Sequence, residues 1–110
     1  MLKESMLLNA IGYAVENRII DFLIGGKGMD YSKKGLAEKC GISRPTLYKV
    51  LASLVKKGVA RPTRKIGIIQ LYAINEENDR VKALLKLEEF LLKESFEALK
   101  EKVKTKAQTA

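Results

Sequence analysis

Residues 32–57, SKKGLAEKCGISRPTLYKVLASLVKK, restrict this chain more than any other stretch of it. Apolar residues recur at helical spacing on both sides of a single glycine. Ser32 is of the type that caps a helix N-terminus, and Leu36, Ala37 and Cys40 follow on one side of the helix it opens. Gly41 falls where the chain must leave that helix through a left-handed conformation, which glycine adopts without a steric cost. Ile42 is placed to plug the turn. Ser43 then caps a second helix, and Pro45 sits in its first turn, where no backbone donor is missed. Leu47, Val50, Leu51 and Leu54 make one apolar stripe, and Gly58 ends the helix. The pattern predicts two helices joined by a tight turn.

At 100° per residue, Pro45, Lys49, Ala52, Ser53 and Lys56 fall opposite the apolar stripe, with Tyr48 at the flank. Ser43, Arg44 and Thr46 crowd the N-terminal tip. This outer face is small, polar and basic, and Ala52 leaves room for close approach. Such a face suits a helix laid in the major groove of double-stranded DNA, with tip residues at base edges and lysines at phosphates. A two-helix corner with a solvated charged face is the plainer alternative. The position of the charge separates the two. Residues 31–70 hold ten Lys or Arg against one acidic residue, Glu38, a local balance of +9. The other 70 residues hold 11 basic and 12 acidic groups, so the whole excess of +8 lies in and just after the two helices. Positive charge gathered in one place is the footprint of a polyanion site.

Upstream, Leu2, Met6, Leu7, Ala10 and Ile11 share one side of a helix over residues 2–11, and Gly12 breaks or kinks the path. Val15, Ile19, Phe22 and Leu23 point inward from a second segment that ends at Gly25, Gly26 and Gly28. These glycines lack the spacing and the following Ser or Thr of a phosphate loop, so they read as a helix terminus. Met29-Asp30-Tyr31 leaves room for one or two strand residues. After Gly58 the apolar period shortens toward 2, and residues 59–63 and 68–74 predict a hairpin turning near 65–67. Pro62 puts its strand at an edge or an irregular point, and Arg61, Arg64 and Lys65 stand near the hairpin tip.

This order of helix, short strand, helix-turn-helix and two-stranded hairpin resembles the winged-helix DNA-binding domain. The phrase GISRPTLYKVLASLVKKGVARPTRKIGIIQLYAIN is similar to prokaryotic winged-helix transcriptional regulators of the MarR/ArsR/TrmB-like kind, especially archaeal ones, and the resemblance covers about residues 14–75. It implies a recognition helix at 43–57 in the major groove and a wing at 61–70 along the backbone or in the adjacent minor groove. Ile66, Ile68 and Ile69 depart from the pattern by making the wing tip more apolar than a groove-reading wing. Phosphate contact by Arg61, Arg64 and Lys65 is therefore the role expected of it.

Residues 75–79, NEEND, form a polar hinge whose acidic groups favour the start of a helix. From Asp79 to about Lys104 neither Gly nor Pro interrupts, which predicts a rod of roughly 39 Å. Val81, Ala83, Leu84, Leu85, Leu87, Phe90, Leu91 and Leu92 make its first half apolar over most of the circumference. Leu92, Phe96, Leu99 and Val103 then follow at spacings of 4, 3 and 4, a coiled-coil seam. We expect the first half to be buried from two sides, by its own domain and by a second copy. The dimer interface is assigned to Leu84, Leu85, Leu91, Leu92, Phe96 and Leu99. A helix that merely closes its own core is the alternative, and residues 107–110 are expected to fray.

The chain has no histidine, the commonest general base and metal ligand. Cys40 is the only cysteine and lies on the apolar side of its helix, and no His or Cys cluster offers a metal site. Neither an enzyme, a cofactor nor a metal is expected. No apolar run is long enough to span a membrane and no leader pattern opens the chain, so a cytoplasmic protein is expected. The sequence predicts a mainly α chain with a small β-hairpin, an α+β winged helix-turn-helix at 1–75 followed by a dimerisation helix and tail at 76–110. Its expected function is sequence-specific regulation of transcription as a homodimer on double-stranded DNA. Use of the winged helix as a protein–protein module, or as a sequence-independent nucleoid protein, are the competing readings. A small ligand, if one modulates binding, is expected at the dimer interface.

Overall fold

In the computed structural model, residues 5–109 are described, with side chains through Val103. The elements run α1 (Met6–Ile11), α2 (Val15–Gly25), β1 (Tyr31–Ser32), α3 (Lys33–Cys40), α4 (Arg44–Lys56), β2 (Ala60–Ile66), β3 (Ile69–Ile74) and α5 (Asp79–Thr109). The architecture is mainly helical with a small sheet, a winged helix-turn-helix followed by a long C-terminal helix. The expectation for Leu2 lies outside the described residues. Gly12, at φ +98°, ends α1, so α1 and α2 are separate helices.

Both helices of the central pair end in the same closure. After α3, Gly41 is left-handed at φ +64°, its N–H donates to Glu38 O, and the Ile42 N–H reaches back to Ala37 O at 3.0 Å. After α4, Gly58 stands at φ +75°, its N–H donates to Val55 O, and Val59 N–H donates to Leu54 O at 2.9 Å. These are Schellman closures, and the residue after each glycine packs back onto its helix. Val59 and Leu54 are both buried. Each closure turns the chain back toward the core it has just left.

That core gathers Ile19, Ile20, Leu23 and Ile24 of α2, Leu36 of α3, and Leu47, Leu51 and Leu54 of α4, with Val81 of α5 closing it. Leu8, Ile20 and Ile24 join the buried set unexpectedly and Ala10, expected to face inward, is exposed, whereas the α4 leucines read from the sequence are buried. Covering one such side chain contributes about 1.5–3 kcal/mol, so truncating Leu47 or Leu54, both 0% exposed, would unseat α4.

The sheet has three strands, because the short strand expected near 29–31 forms at Tyr31–Ser32 and joins the hairpin. Its order is β1-β3-β2 and all pairs are antiparallel, with Tyr31 opposite Tyr72 and Ser32 opposite Leu71. The two residues of β1 thus tie the start of α3 to the middle of the hairpin, and Ser32 ends the strand while its Oγ accepts from Gly35 N. Pro62 lies on the edge strand β2, where no ladder donor is lost. The turn falls at Gly67–Ile68, one residue beyond the expected position, because Gly67 supplies the positive φ of +62° that a two-residue turn needs.

Residues 75–79 are more firmly held than a hinge. Asn75 Nδ2 donates to Gly58 O at 2.8 Å, and Asn78 Nδ2 donates to Lys57 O at 3.2 Å. Asn78 Oδ1 also accepts from the N–H groups of Arg80 and Val81, capping α5. The end of α4 and the start of α5 therefore share one set of hydrogen bonds. Backbone helix continues to Thr109, beyond the expected end near Lys104 and into the stretch expected to fray. Its 31 residues make a rod of roughly 46 Å. A chain of this length packs to a radius of gyration of about 13 Å, whereas this one has 17.1 Å and extents of 62 × 30 × 23 Å. Its shape is a small domain with a projecting helix.

Candidate nucleic-acid interface

The α4 axis is set by three leucines in the core, and that alone decides which side chains remain outside. Arg44, Pro45, Thr46, Tyr48, Lys49 and Lys56 are exposed, and Ser53 is half-buried. Ser43 occupies the N-cap position with extended backbone, but its hydroxyl caps no backbone N–H. It donates instead to Thr46 Oγ1 at 2.9 Å. The free backbone donors of the first turn and two linked hydroxyls thus meet at the tip beside Arg44, a natural anion-facing arrangement. At the flank, Lys33 Nζ lies 5.2 Å from the Tyr48 ring and 5.9 Å from the Tyr72 ring. One ammonium therefore links Tyr48 of α4 to Tyr72 of the sheet.

In the wing, Arg61, Arg64 and Lys65 are all exposed. Between Pro62↔Tyr72 and Lys65↔Gln70, two residues of β2 oppose one of β3. Such a bulge bends its strand and re-aims side chains. Here it turns Thr63 and Arg64 toward Asp30, just before β1. Thr63 Oγ1 donates to Asp30 Oδ2 at 2.6 Å, and Arg64 donates through Nε to Oδ2 at 3.0 Å and through Nη2 to Oδ1 at 3.3 Å. Gln70 Nε2 donates to the Arg64 carbonyl. The hydrogen bond from Arg64, and then that from Thr63, hold the Asp30 carboxyl below the usual carboxylate range, and the same pair raises the Arg64 guanidinium.

Sequence reasoning passed over Asp30. It lies one residue outside the basic stretch and in no motif, and its partner is 34 residues away, so only the folded sheet exposes the pairing. Including it, residues 30–70 carry ten basic and two acidic groups, a balance of +8. Arg64 keeps 67% of its side chain exposed. It is thus a wing anchor whose charge is partly matched within the chain, while among the described residues no ion pair engages Arg61 or Lys65. Lys57 and Arg80 both reach Glu16 Oε1 at 3.3 Å, which joins the base of α4 to α5 across α2.

The residues assigned to a dimer interface divide in two. Leu84 and Leu85 pack on the chain's own core, and Leu91 is half-buried in a groove shared with Met6, Asn9 and Ala10 of α1. Leu92, Phe96 and Leu99 are 52%, 59% and 58% exposed, and Val103 is 61% exposed. At 100° per residue these four continue the line of Val81 and Leu85 beyond the end of the domain.

A separate cavity of about 490 Å³ opens where α1, α2 and the end of α3 meet, lined by Leu8, Phe22, Arg18 and Cys40 among others. Arg18 donates to the Cys40 carbonyl, one of the acceptors left free at the end of α3. Burial pushes the Cys40 thiol up, against the opposing effect of Arg18. Among the described residues no group of three His, Cys, Asp or Glu side chains could hold a metal ion, and no helix is long and apolar enough to cross a membrane.

The arrangement is a winged-helix fold, and solved structures that share it are transcription regulators. MepR, a transcription regulator of the Staphylococcus aureus multidrug efflux pump MepA, superposes with a TM-score of 0.62 at 13% identity, over 94% of this chain and 80% of its own. The PcaV transcriptional regulator from Streptomyces coelicolor, solved with its natural ligand, gives 0.55 at 18% identity, over 96% and 84%. A possible transcriptional regulator from Methanosarcina mazei gives 0.55 at 10% identity, over 91% and 84%. At these identities the likeness is one of fold. No family model matches the chain, and no curated protein matches it.

Proposed function

We propose that this chain regulates transcription by binding specific sites on double-stranded DNA as a homodimer, as a MarR-like regulator would. The observation that carries the reading is electrostatic. The exposed face of α4 and the adjoining wing hold nearly all of the chain's positive excess, on a fold shared with known regulators. Arg44, Thr46 and Ser43 at the tip, with Tyr48 and Ser53 behind them, meet base edges in the major groove. Lys49, Lys56, Arg61 and Lys65 meet phosphates, and Pro45 shapes the first turn. Arg64 contributes mainly by holding the wing against Asp30. The α5 stripe of Leu92, Phe96 and Leu99 pairs with that of a second copy, supported by Leu84, Leu85 and Leu91 at its base, so that two α4 helices face one side of the duplex.

Fluorescence anisotropy on labelled duplexes tests this reading. Affinity should fall linearly in log–log terms with salt, with a slope of about −0.9 per neutralised phosphate. Selection from a random duplex pool should yield an inverted repeat with half-sites about 10 bp apart. Absence of binding to any duplex at low salt would remove the proposal.

A further inference from the structure

The wing tip has a chemistry that phosphate contact does not use. Ile66 and Ile69 face one another on the last rung before Gly67–Ile68. Gly67 has φ +62°, and no described residue other than glycine has positive φ. A turn with glycine at its first central position has that pattern, and its second corner takes Asn, Ser or Asp more readily than a β-branched residue. Nothing in the packing asks for an isoleucine there. Ile68 is 97% exposed, and Ile66 and Ile69 are 57% and 52% exposed. An open apolar hairpin edge also invites aggregation, so its retention calls for a partner.

We propose that Ile68 is an apolar wedge that enters the minor groove beside the α4 site and bends the duplex there; this rests on the DNA-binding reading above. Charge selects the occupant. The wing carries Arg61, Arg64 and Lys65, and no carboxylate occurs between Glu38 and Gln70. The tip therefore arrives inside a positive collar that meets phosphates first. Geometry selects the mode. The minor groove is about 6 Å wide, and two strands about 4.8 Å apart with their side chains cannot enter it flat. The corner side chain can. Isoleucine has no donor or acceptor with which to read a base edge. At that depth an apolar side chain wedges between neighbouring base pairs, unstacks them and bends the duplex toward the major groove.

Pyrimidine–purine steps unstack most easily, so the wedge creates a sequence preference at a flank that α4 does not touch. A basic collar around an apolar tip also fits an anionic lipid surface. The positive charge, however, continues from the wing onto α4, where no large aliphatic side chain is exposed to enter lipid.

The test compares the unmodified chain with Ile68→Ser on a selected duplex that carries dyes at its ends and 2-aminopurine at successive flanking steps. The unmodified protein should bring the ends together and brighten 2-aminopurine at one step on each side. Ile68→Ser should melt at the same temperature, keep the salt slope, lose both signals and bind about tenfold more weakly. Replacing the wedged TA step by GC should weaken the unmodified protein and leave Ile68→Ser unchanged. Tight binding to a duplex that stays straight, or both signals surviving in Ile68→Ser, overturns the wedge and leaves DNA binding intact. Failure to bind any duplex overturns both readings. Capture of the unmodified chain, but not Ile68→Ser, by phosphatidylserine vesicles would assign the tip to a membrane and overturn the wedge.

Discussion

Placing aspartate at both Leu92 and Phe96 tests the proposed assembly where the chain's own core gives these residues least cover. Leu92, Phe96, Leu99 and Val103 are each between 52% and 61% exposed, so complete covering withdraws about 100 Å² from each. A two-fold pair would then remove on the order of 800 Å² of apolar surface, about 20 kcal/mol gross at ~25 cal/mol per Å². Association costs roughly 4–15 kcal/mol in lost rigid-body freedom, which leaves about 5–16 kcal/mol; the middle of that range, about 10 kcal/mol, is a sub-micromolar affinity. Replacing two of the four positions removes about half of the gross gain and sets four carboxylates along one seam. The surplus is then gone. Light scattering after size exclusion at tens of micromolar should give a dimer for the unmodified chain and a monomer for the double variant. Circular dichroism should change little, because the domain core does not include these positions. DNA affinity should fall by far more than the loss of a single half-site explains. A monomeric unmodified chain, or a double variant that remains dimeric, would refute the reasoning.

Arg44→Ala and Thr46→Ala should weaken a selected site by about 1–3 kcal/mol and leave random duplex nearly unchanged, whereas Lys65→Ala should weaken both alike; competition anisotropy reads the difference. Asp30→Asn releases Arg64 toward phosphate and should steepen the salt slope by about 0.9 per protomer. Because Asp30 has a folded-state pKa below its unfolded value, its anchor contributes above the ordinary carboxylate range, about 3.9, and is lost as pH falls through the lower folded value. Protection of the β2 amides, corrected for intrinsic exchange, should therefore fall at acid pH in the unmodified chain, and Asp30→Asn should show the lower protection at neutral pH. Gly58→Ala forces a side chain into φ +75° and brings its Cβ to 3.3 Å from Asn78 Nδ2. It should cost about 1–2 kcal/mol in chemical denaturation, with hydrogen-exchange protection falling first where α4 meets α5.

The helix-turn-helix was legible in the sequence because its determinants are local. Gly41 and Gly58 mark left-handed closures, and the i, i+3, i+4 leucines define which side of α4 is buried, so Lys49 and Lys56 are outside by subtraction. The charge balance was equally legible, since it needs only a count. The short strand was offered by the sequence, but its pairing with β3, the bulge and the role of Asp30 were decided by tertiary structure. Tyr31 becomes a strand residue because Tyr72 offers it a ladder, and Asp30 becomes a wing anchor because a one-residue bulge turns Thr63 and Arg64 toward it. Likewise the polar stretch after β3 carries no local sign that Asn75 and Asn78 will close the end of α4. Periodicity records which face of an element avoids water. Which partner a polar side chain meets depends on elements brought together from 17 to 64 residues away, and no local pattern encodes that meeting.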